Sequence, residues 1–431
     1  MKRKFNPGTV LAVIYWLIFI ALAGLFFTND FGLVDIHKTS IITAIGIDME
    51  EREVQVTAEV AVPQPSQSGE NIKYTQVQGS GLTIADALNE INAKTGFYPK
   101  LQFCKLILVG ESCMGTELFQ ILGCFYRKNY SELTALVAMC EGKASDMLAN
   151  KSGVSQMTSE AIRKVLSDES EKSANSSSAS LKKIATSEYS YSHSCYMPYV
   201  QVSKPGTSQN GGNGDNVGGE SPDGSGGGNG ENGGGGGSSG GGAGESGQSG
   251  SSGGDAGGAG QSGEVEFTAR KTAYFSRGDF KGILDEQQSF ALDVLKSELR
   301  VAVLPCNADD IHYTLGLKGV KSKIKLSVEK SVPQVKISVS AKAQIQGARV
   351  KVEPKKVIRD DVIPSYVLDS AKKVLVSRIS SLLAACRESD CDLLGLKDQL
   401  YKFHRKNYDE LNAELLTRAE VTYDVKIESV T

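Results

Sequence analysis

The chain has 431 residues, with 47 Lys and Arg against 50 Asp and Glu, and its formal net charge is −3. This near balance argues against a dedicated nucleic-acid-binding protein, because neutralising a phosphate backbone requires clustered basic charge. Of the 47 glycines, 28 lie between Pro205 and Glu264, and their lack of a three-residue period excludes a collagen-like chain. The remaining residues have an ordinary composition and are numerous enough to bury one or two cores.

The N-terminal end combines a basic tip with a long apolar segment. The run from Val10 to Phe27 contains 18 uncharged residues, which would rise about 27 Å as a helix, close to the ~30 Å of a bilayer's hydrocarbon core. Basic residues precede the run, and Asp30 and Asp35 follow it, which predicts a cytoplasmic N-terminus. Residues 1–31 are therefore predicted to be a cytoplasmic tip and a transmembrane anchor, with the rest of the chain outside the cytoplasmic membrane.

A cleaved signal peptide is the alternative to a permanent anchor. Ala21-Leu22-Ala23 resembles the small-residue site at which signal peptides are cut. Lipid anchoring is excluded, because Leu25 stands where a lipobox requires the cysteine that forms the thioether. We prefer the uncleaved helix, which predicts a single-pass membrane protein with an extracytoplasmic ectodomain.

Residues 36–203 alternate between strand-like runs and amphipathic segments, a pattern that predicts a mixed α/β domain. Thr83 is a candidate N-cap, with Asp86 three residues later, for a helix that ends at Gly96. The predicted strands are residues 40–48, 54–62, 73–79, 101–109, 134–139 and 196–202. The other predicted helices are residues 117–125, 145–149, 154–166 and 181–186.

Residues 265–431 show the same mixture and predict a second α/β domain. Tyr366–Cys386 carries an apolar stripe at helical spacing, and residues 392–403 are predicted to continue as helix. The predicted strands are residues 265–275, 280–284, 301–304, 312–317, 324–328, 335–339 and 419–427. The predicted fold class is therefore α+β: a mixed α/β ectodomain in two or three parts, with sheets packed against helices, after one N-terminal transmembrane helix.

Residues 204–264 are predicted to be a disordered Gly/Ser-rich acidic insertion. The stretch from Pro205 to Gly263 contains six acidic residues and no lysine or arginine. As a flexible coil it would span about 40 Å, so it could separate two domains or form a long loop between neighbouring strands. Loop closure costs only ~0.6 kcal/mol for each doubling of length, so a long insertion is tolerable.

Nothing in the sequence predicts catalysis, a cofactor or a metal site, and we expect no enzyme. A Gly-x-Ser-x-Gly match at Gly236–Gly240 lies among glycines, without the strand and helix that a catalytic serine turn requires. The eight cysteines show no zinc-binding spacing, and isolated buried thiols are expected. Cys386 and Cys391 are the one pair near enough in sequence to close a small disulfide loop.

Two short polar motifs each have a structural and a functional interpretation. Arg277-Gly278-Asp279 matches an integrin-type tripeptide, but glycine and aspartate are also the residues of a hairpin turn, which we prefer. The basic cluster of Lys402, His404, Arg405 and Lys406 could contact anionic lipid headgroups, but a solvated helix face is the simpler interpretation.

Six short segments form a recognisable series in their order and spacing. They are Ile41–Asp48, Gly81–Leu88, Leu101–Val109, Ala144–Leu148, Thr272–Asp285 and Cys391–Gly395. Together they resemble the Ger(x)C proteins, the C-type subunits of bacterial spore germinant receptors. The chain departs from that family in lacking the lipobox cysteine and in carrying the glycine-rich insertion, and Cys104 stands roughly where the family often has histidine.

The resemblance implies a non-enzymatic, extracytoplasmic subunit held at the spore inner membrane. Such a subunit would act with A-type and B-type integral membrane subunits in nutrient-triggered germination, without a cofactor, and no site residue is transferred from the family. The alternative is a membrane-tethered cell-envelope binding or adhesion module with no role in germination. A cell-wall hydrolase ranks third, because it requires a cleft with convergent carboxylates.

Overall fold

The computed structural model describes residues 7–28, 39–66, 69–96, 98–127, 131–153, 155, 157–167, 178–203, 265–299, 301–350 and 362–430. Residues 204–264, which include the Gly236–Gly240 motif, lie outside the described residues, as do Asp30 and Asp35.

Helix α1 (Pro7–Thr28) is the first described element. Proline suits the first position of a helix, where the backbone N–H has no intrahelical acceptor. The large apolar side chains of α1 that the structure describes, between Leu11 and Leu22, are exposed, from 50% at Ile14 to 71% at Tyr15. No helix formed by the described residues is long and apolar enough to cross a membrane, and the transmembrane anchor stays a prediction.

The first sheet contains nine strands. They are β1 (Thr39–Glu50), β2 (Glu53–Ser66), β3 (Gly69–Gly81), β4 (Tyr98–Lys100), β5 (Leu106–Gly110), β6 (Leu136–Cys140), β7 (Ser194–Ser203), β8 (Glu266–Ser276) and β9 (Asp279–Leu284). Their order is β3-β2-β1-β5-β6-β7-β8-β9, with β4 also paired to β1. The central strands β1, β5, β6 and β7 are parallel neighbours, whereas the strands at both ends pair antiparallel.

Helices cover both faces of this sheet. They are α2 (Ile84–Thr95), α3 (Leu118–Tyr126), α4 (Ala144–Ala149), α5 (Thr158–Leu166) and α6 (Leu181–Glu188). One core packs α2, α3 and α6 around residues such as Ile91 and Leu122, and a second packs α4 and α5 around Leu148 and Ile162. Burial on both faces explains why β5 and β6 are almost continuously apolar.

Two predicted elements begin later than the sequence pattern indicated. Residues 101–109 were predicted as one strand, but Leu101–Phe103 forms a 3-10 turn and β5 starts at Leu106. The Cys104 N–H closes that turn on the Leu101 carbonyl at 3.0 Å, which buries Leu101 without extending the strand. Helix α5 begins at Thr158 rather than at residue 154, and the predicted box at Thr83 and Asp86 is confirmed at the start of α2.

Strands β7 and β8 flank the glycine-rich segment in sequence and lie side by side in the sheet. They pair antiparallel, with Ser203 opposite Glu266. Strand β9 pairs with β8, so residues 266–284 extend the first sheet, although the predicted boundary assigns them to the C-terminal domain. This pairing favours the insertion interpretation of residues 204–264, and the division into domains stays a prediction.

The second sheet has the order β10-β11-β12-β13. Its strands are β10 (Val301–Ala308), β11 (Ile311–Glu329), β12 (Val332–Val350) and β13 (Glu420–Ser429), and its helices are α7 (Glu286–Lys296), α8 (Ser365–Glu388), α9 (Leu396–Phe403), α10 (Arg405–Leu411) and α11 (Leu415–Arg418). The apolar stripe of α8 packs on one face of the sheet, and this core reaches Tyr196 and Tyr274 of the first sheet.

Two C-terminal predictions also need correction. The predicted strands 312–317 and 324–328 are parts of the single strand β11, because the left-handed Gly319 (φ 61°) lies at a register shift that lets the pairing with β12 continue. The predicted helix 392–403 begins at Leu396, because Gly395 (φ 74°) adopts the left-handed conformation immediately before it.

Buried carboxylates of the first sheet cap helices from distant parts of the chain. Asp48 is fully buried on β1, and its carboxylate accepts hydrogen bonds from the N–H groups of Ala144 (2.8 Å) and Ser145 (2.9 Å) at the start of α4. Glu59 on β2 accepts from the Ser159 hydroxyl and from its N–H (3.4 Å) at the start of α5. These bonds fix both helices on the sheet, because a buried carboxylate and unpaired helix N–H groups each need the other.

We expect Asp48→Ala to lower the free energy of unfolding by roughly 2–4 kcal/mol, because it leaves two buried N–H groups without an acceptor. Asp146→Ala is the matched control, since Asp146 is an exposed carboxylate in the first turn of the same helix. Its removal should cost less than about 1 kcal/mol. Urea unfolding of both variants measures the difference, and equal losses would contradict the capping role.

Replacing residues 206–263 by a short Gly-Ser loop should leave the melting temperature nearly unchanged, because the flanking strands are already neighbours in the sheet. The measurement is thermal unfolding of the full-length and shortened chains side by side. A large drop in melting temperature would show that the segment contributes to the folded core.

Candidate functional site

A cavity of about 530 Å³ lies where the first sheet and its helices meet the second sheet and its helices, which we call the two parts of the chain. Helix α6 and the segment up to β7 form one wall, and the end of α7 with residues 392–398 forms the other. The charged and hydroxyl-bearing lining residues are Ser180, Lys182, Lys183, Thr186, Ser187, Ser190, Ser192, Ser194, Tyr196, Lys296, Glu298, Asp392 and Asp398.

A larger groove of about 840 Å³ runs between α2 and α3, with Leu82, Leu88 and Phe119 among its walls. The smaller cavity is the stronger candidate for chemistry, because it gathers opposite charges from separate parts of the chain in a partly buried place.

Asp392 lies in one wall of the cavity and is 2% exposed. Its carboxylate accepts hydrogen bonds from the N–H groups of Leu396 (2.9 Å) and Lys397 (2.6 Å) at the start of α9. Burial raises the pKa of Asp392, and these two backbone donors together with nearby Lys296 oppose that shift. Asp392 therefore holds α9 in place, as Asp48 holds α4.

A connected group of three polar side chains joins the two walls. The Lys183 ammonium pairs with Glu298 Oε1 at 2.6 Å, and the Tyr196 hydroxyl donates to the same oxygen at 3.0 Å. Lys183 Nζ also lies 4.5 Å from the centre of the Tyr196 ring, within the range of a cation–π contact. Lys183 and Tyr196 come from α6 and β7, whereas Glu298 follows α7, so the group joins the two parts of the chain.

Two groups in the cavity have incomplete hydrogen bonding among the described residues. Glu298 Oε2 is buried without a hydrogen-bond partner. Lys296 Nζ lies 5.8 Å from the Tyr196 ring centre, and burial lowers the pKa of Lys296 while the Asp392 carboxylate opposes the shift. The cavity thus offers an unpaired acceptor near a desolvated cation, an arrangement suited to binding a small polar group or to changing its contacts when the two parts move.

Aromatic side chains from the two parts of the chain pack together beside the cavity. The rings of Tyr191 and Tyr401 stack with centres 3.5 Å apart, and the Arg405 guanidinium lies 4.1 Å from the Tyr401 ring centre. The Tyr191 N–H donates to Asp398 Oδ1 at 2.7 Å. Tyr191 precedes β7, whereas the others belong to α9 and α10, so these contacts also span the two parts of the chain.

All eight cysteines are free, and seven of them are buried, as the isolated-thiol interpretation predicts. Burial raises the pKa of the Cys386 and Cys391 thiols to about 12, which keeps them protonated and unreactive at neutral pH. The open alternative of a Cys386–Cys391 disulfide is therefore not realised. Among the described residues, no group of three or more His, Cys, Asp or Glu side chains is placed to hold a metal ion.

The Arg277-Gly278-Asp279 tripeptide is the turn between β8 and β9, as predicted. Arg277 (φ 53°) and Gly278 (φ 83°) are both left-handed, and Ser276 pairs with Asp279 across the turn. The Gly278 carbonyl accepts from the Leu118 N–H at 2.8 Å, so the turn packs on the start of α3.

The fold and the cavity together define a two-sheet α+β protein with a cluster of buried and half-buried charged groups at the junction of its two parts. Comparison with protein families matches residues 33–202 to the spore germination protein N-terminal domain and residues 270–430 to the C-terminal domain of the spore germination B3/GerAC-like proteins. The chain therefore belongs to the GerAC-like family of spore germination proteins, as its sequence segments suggested.

The chain is also similar to a solved structure titled "Crystal Structure of the GerBC protein", with 14% sequence identity and a TM-score of 0.49. The match covers 92% of this chain and 100% of that chain. No curated protein sequence matches the chain.

Sequence analysis named no site residue, and it missed the cavity. Asp392 had a readable signal, since an aspartate before a left-handed glycine and an amphipathic segment is typical of a helix start. Lys183, Lys296 and Glu298 had none, because they lie far apart in sequence and meet only when the two parts of the chain pack. The segments Ile41–Asp48 and Cys391–Gly395, which carried part of the family resemblance, contain the capping carboxylates.

We expect Lys296→Met to change how stability depends on pH. Burial lowers the pKa of Lys296 in the folded chain, so unfolding takes up protons, and the free energy of unfolding of wild type rises with pH until the unfolded lysine deprotonates near ~10.4. The variant lacks this contribution, so wild type should gain stability relative to it as the pH rises from neutral towards ~10.4.

The measurement is urea unfolding across that pH range, in which contributions from other groups cancel in the comparison. Lys182→Met is the control, because Lys182 lines the same cavity but is exposed. A Lys296→Met profile parallel to that of wild type would contradict the burial of a charged lysine.

Proposed function

We propose that this protein is a non-enzymatic, extracytoplasmic subunit of a germinant-receptor-like membrane complex that acts in nutrient-triggered spore germination. The observation that carries the proposal is the match of both GerAC-like domains, in order, on either side of the glycine-rich segment. Its partners would be A-type and B-type integral membrane subunits, and its location the spore inner membrane.

A non-enzymatic role agrees with the way the buried charges are used. Asp48, Glu59 and Asp392 are occupied by backbone N–H groups at helix starts. The Glu298 carboxylate joins two parts of the chain through Lys183 and Tyr196. These carboxylates bind the chain's own donors, so their chemistry supports assembly and communication between domains rather than proton transfer to a substrate.

We further propose that the N-terminal segment anchors the ectodomain beside its partners. The support is the uncharged run from Val10 to Phe27, the basic tip before it, and the exposure of large apolar side chains between Leu11 and Leu22 of α1. A helix that is apolar on every side has no polar face to present to water. Anchoring would raise the effective concentration of the ectodomain near the integral subunits, without requiring a strong contact.

The adhesion alternative has less support, although the side chains of Arg277 and Asp279 are exposed. Gly278 of the tripeptide is buried, and a side chain there would collide with Glu117 at the start of α3. The tripeptide is accordingly part of the packing between a hairpin and a helix.

Deleting the gene in its sporulating host should block nutrient-triggered germination while growth and sporulation stay normal. Germination is measured as the loss of spore optical density after nutrient addition, and the wild-type gene should restore it. Asp146→Ala serves as a folded control allele. A normal germination rate in the deletion strain would overturn the proposal. Affinity purification from spore inner membrane should recover the integral subunits.

A further inference from the structure

The second sheet has an outward face rich in lysine. Alternate residues of β12 from Val335 to Ile345 are buried towards α8, so the residues between them point away from the helix. The strand register places matching positions of β11 on the same outward side. The exposed lysines there are Lys318, Lys321, Lys323, Lys325, Lys336 and Lys342, which we call the lysine face.

The lysine face contains like-charge pairs between β11 and β12, although the neighbouring β13 places Glu428 opposite Lys342. Lys318 lies directly opposite Lys342, and Lys325 directly opposite Lys336. Like charges in such cross-strand pairs destabilise a sheet. Lys336 pairs with Asp424 at 3.8 Å, whereas the other five lysines form no ion pair with any described residue. Repulsive pairs of this kind are expected where a surface binds a partner.

A second basic segment borders the lysine face. Helices α9 and α10 cover the edge of β11 at Leu326, whose N–H donates to Gln399 Oε1 (3.3 Å) and whose carbonyl lies 3.2 Å from His404 Nε2. The neighbouring Phe403 side chain is 65% exposed, and Lys402 Nζ lies 5.2 Å from its ring centre. The basic cluster identified in the sequence therefore adjoins the lysine face and adds an exposed aromatic ring to its border.

We propose that the lysine face docks on the anionic phospholipid headgroups of the membrane to which the chain is anchored, an inference that rests on the proposed anchor. Its positive charge complements the anionic surface, and each lysine near such a surface contributes roughly fivefold to binding. The two 19-residue strands present an extended surface rather than a groove. An exposed aromatic ring beside basic residues favours a lipid interface over an acidic protein partner.

Docking of this kind gives the ectodomain a second point of attachment. The anchor alone leaves the ectodomain free to rotate above the membrane, whereas a charged face on the bilayer restricts its orientation relative to integral partners. The attachment depends on charge, so it weakens as salt is raised.

The experiment reconstitutes the full chain in nanodiscs of pure phosphatidylcholine or of phosphatidylcholine mixed with phosphatidylglycerol. Lysine acylation rates are then measured residue by residue by mass spectrometry. We expect acylation of the lysine face to be roughly fivefold slower in the anionic nanodiscs, with the difference removed by high salt. The exposed Lys105 and Lys164 of the first part of the chain should react equally in both.

Matched variants separate the lysine face from net charge. In the quadruple variant Lys318→Gln, Lys323→Gln, Lys325→Gln and Lys342→Gln, the remaining Lys321 and Lys336 should lose their protection. A control with Lys105, Lys164, Lys182 and Lys373 changed to Gln alters the net charge equally and should keep it, because all four are exposed elsewhere.

Equal acylation rates in the two kinds of nanodisc would overturn the docking proposal. Protection that persists in pure phosphatidylcholine would identify a protein contact, such as a second copy of the chain, and would also overturn it. Failure of the chain to enter nanodiscs would contradict the anchor instead, and the same labelling with phosphatidylglycerol vesicles would then decide the lysine face separately.

Discussion

Hydrogen bonds from the N–H groups at helix starts to buried carboxylates fix the helices of this molecule on its sheets. Asp48 lies 96 residues before Ala144, yet its carboxylate accepts the N–H of that residue and of Ser145. A buried carboxylate without donors and a helix start without acceptors are both costly, so each restricts the other to one position. Gly110 leaves the room that this contact needs, because a Cβ there would lie 2.0 Å from Asp48 Oδ1.

At the junction between the two parts of the chain, the carboxylates are less completely hydrogen-bonded than Asp48 is. Asp392 is satisfied by α9, but Glu298 keeps one oxygen without a hydrogen bond, and Lys296 is held close to both carboxylates. Buried ion pairs are weak sources of stability, since apolar replacements of similar volume often perform as well or better. Retained charge at this junction accordingly supports the hypothesis that the relative placement of the two parts matters for function.

The two sheets differ in how their faces are covered, and this difference creates the outer surface. The parallel centre of the first sheet has helices on both sides, as its continuous apolar strands require. The second sheet is largely antiparallel and has α8 on one side, so alternate residues of β11 and β12 face outwards. That arrangement lets lysine occupy many of the outward positions of both strands, whereas a doubly covered sheet could not accommodate it.

The spacing of apolar residues along the chain predicted most of the helices and strands, including α3, α8, β1 and β13. It did so because residues on a buried face recur at the period of the helix or strand. The sequence also determined the family, through short segments that contain Asp48 and Asp392. It gave no indication of where β11 continues through Gly319 or of the cavity formed by Lys183, Lys296 and Glu298, and it offered the neighbouring positions of β7 and β8 as one of two interpretations. Those features belong to the tertiary structure, because spacing along a chain records that a face is buried but not which distant residue covers it.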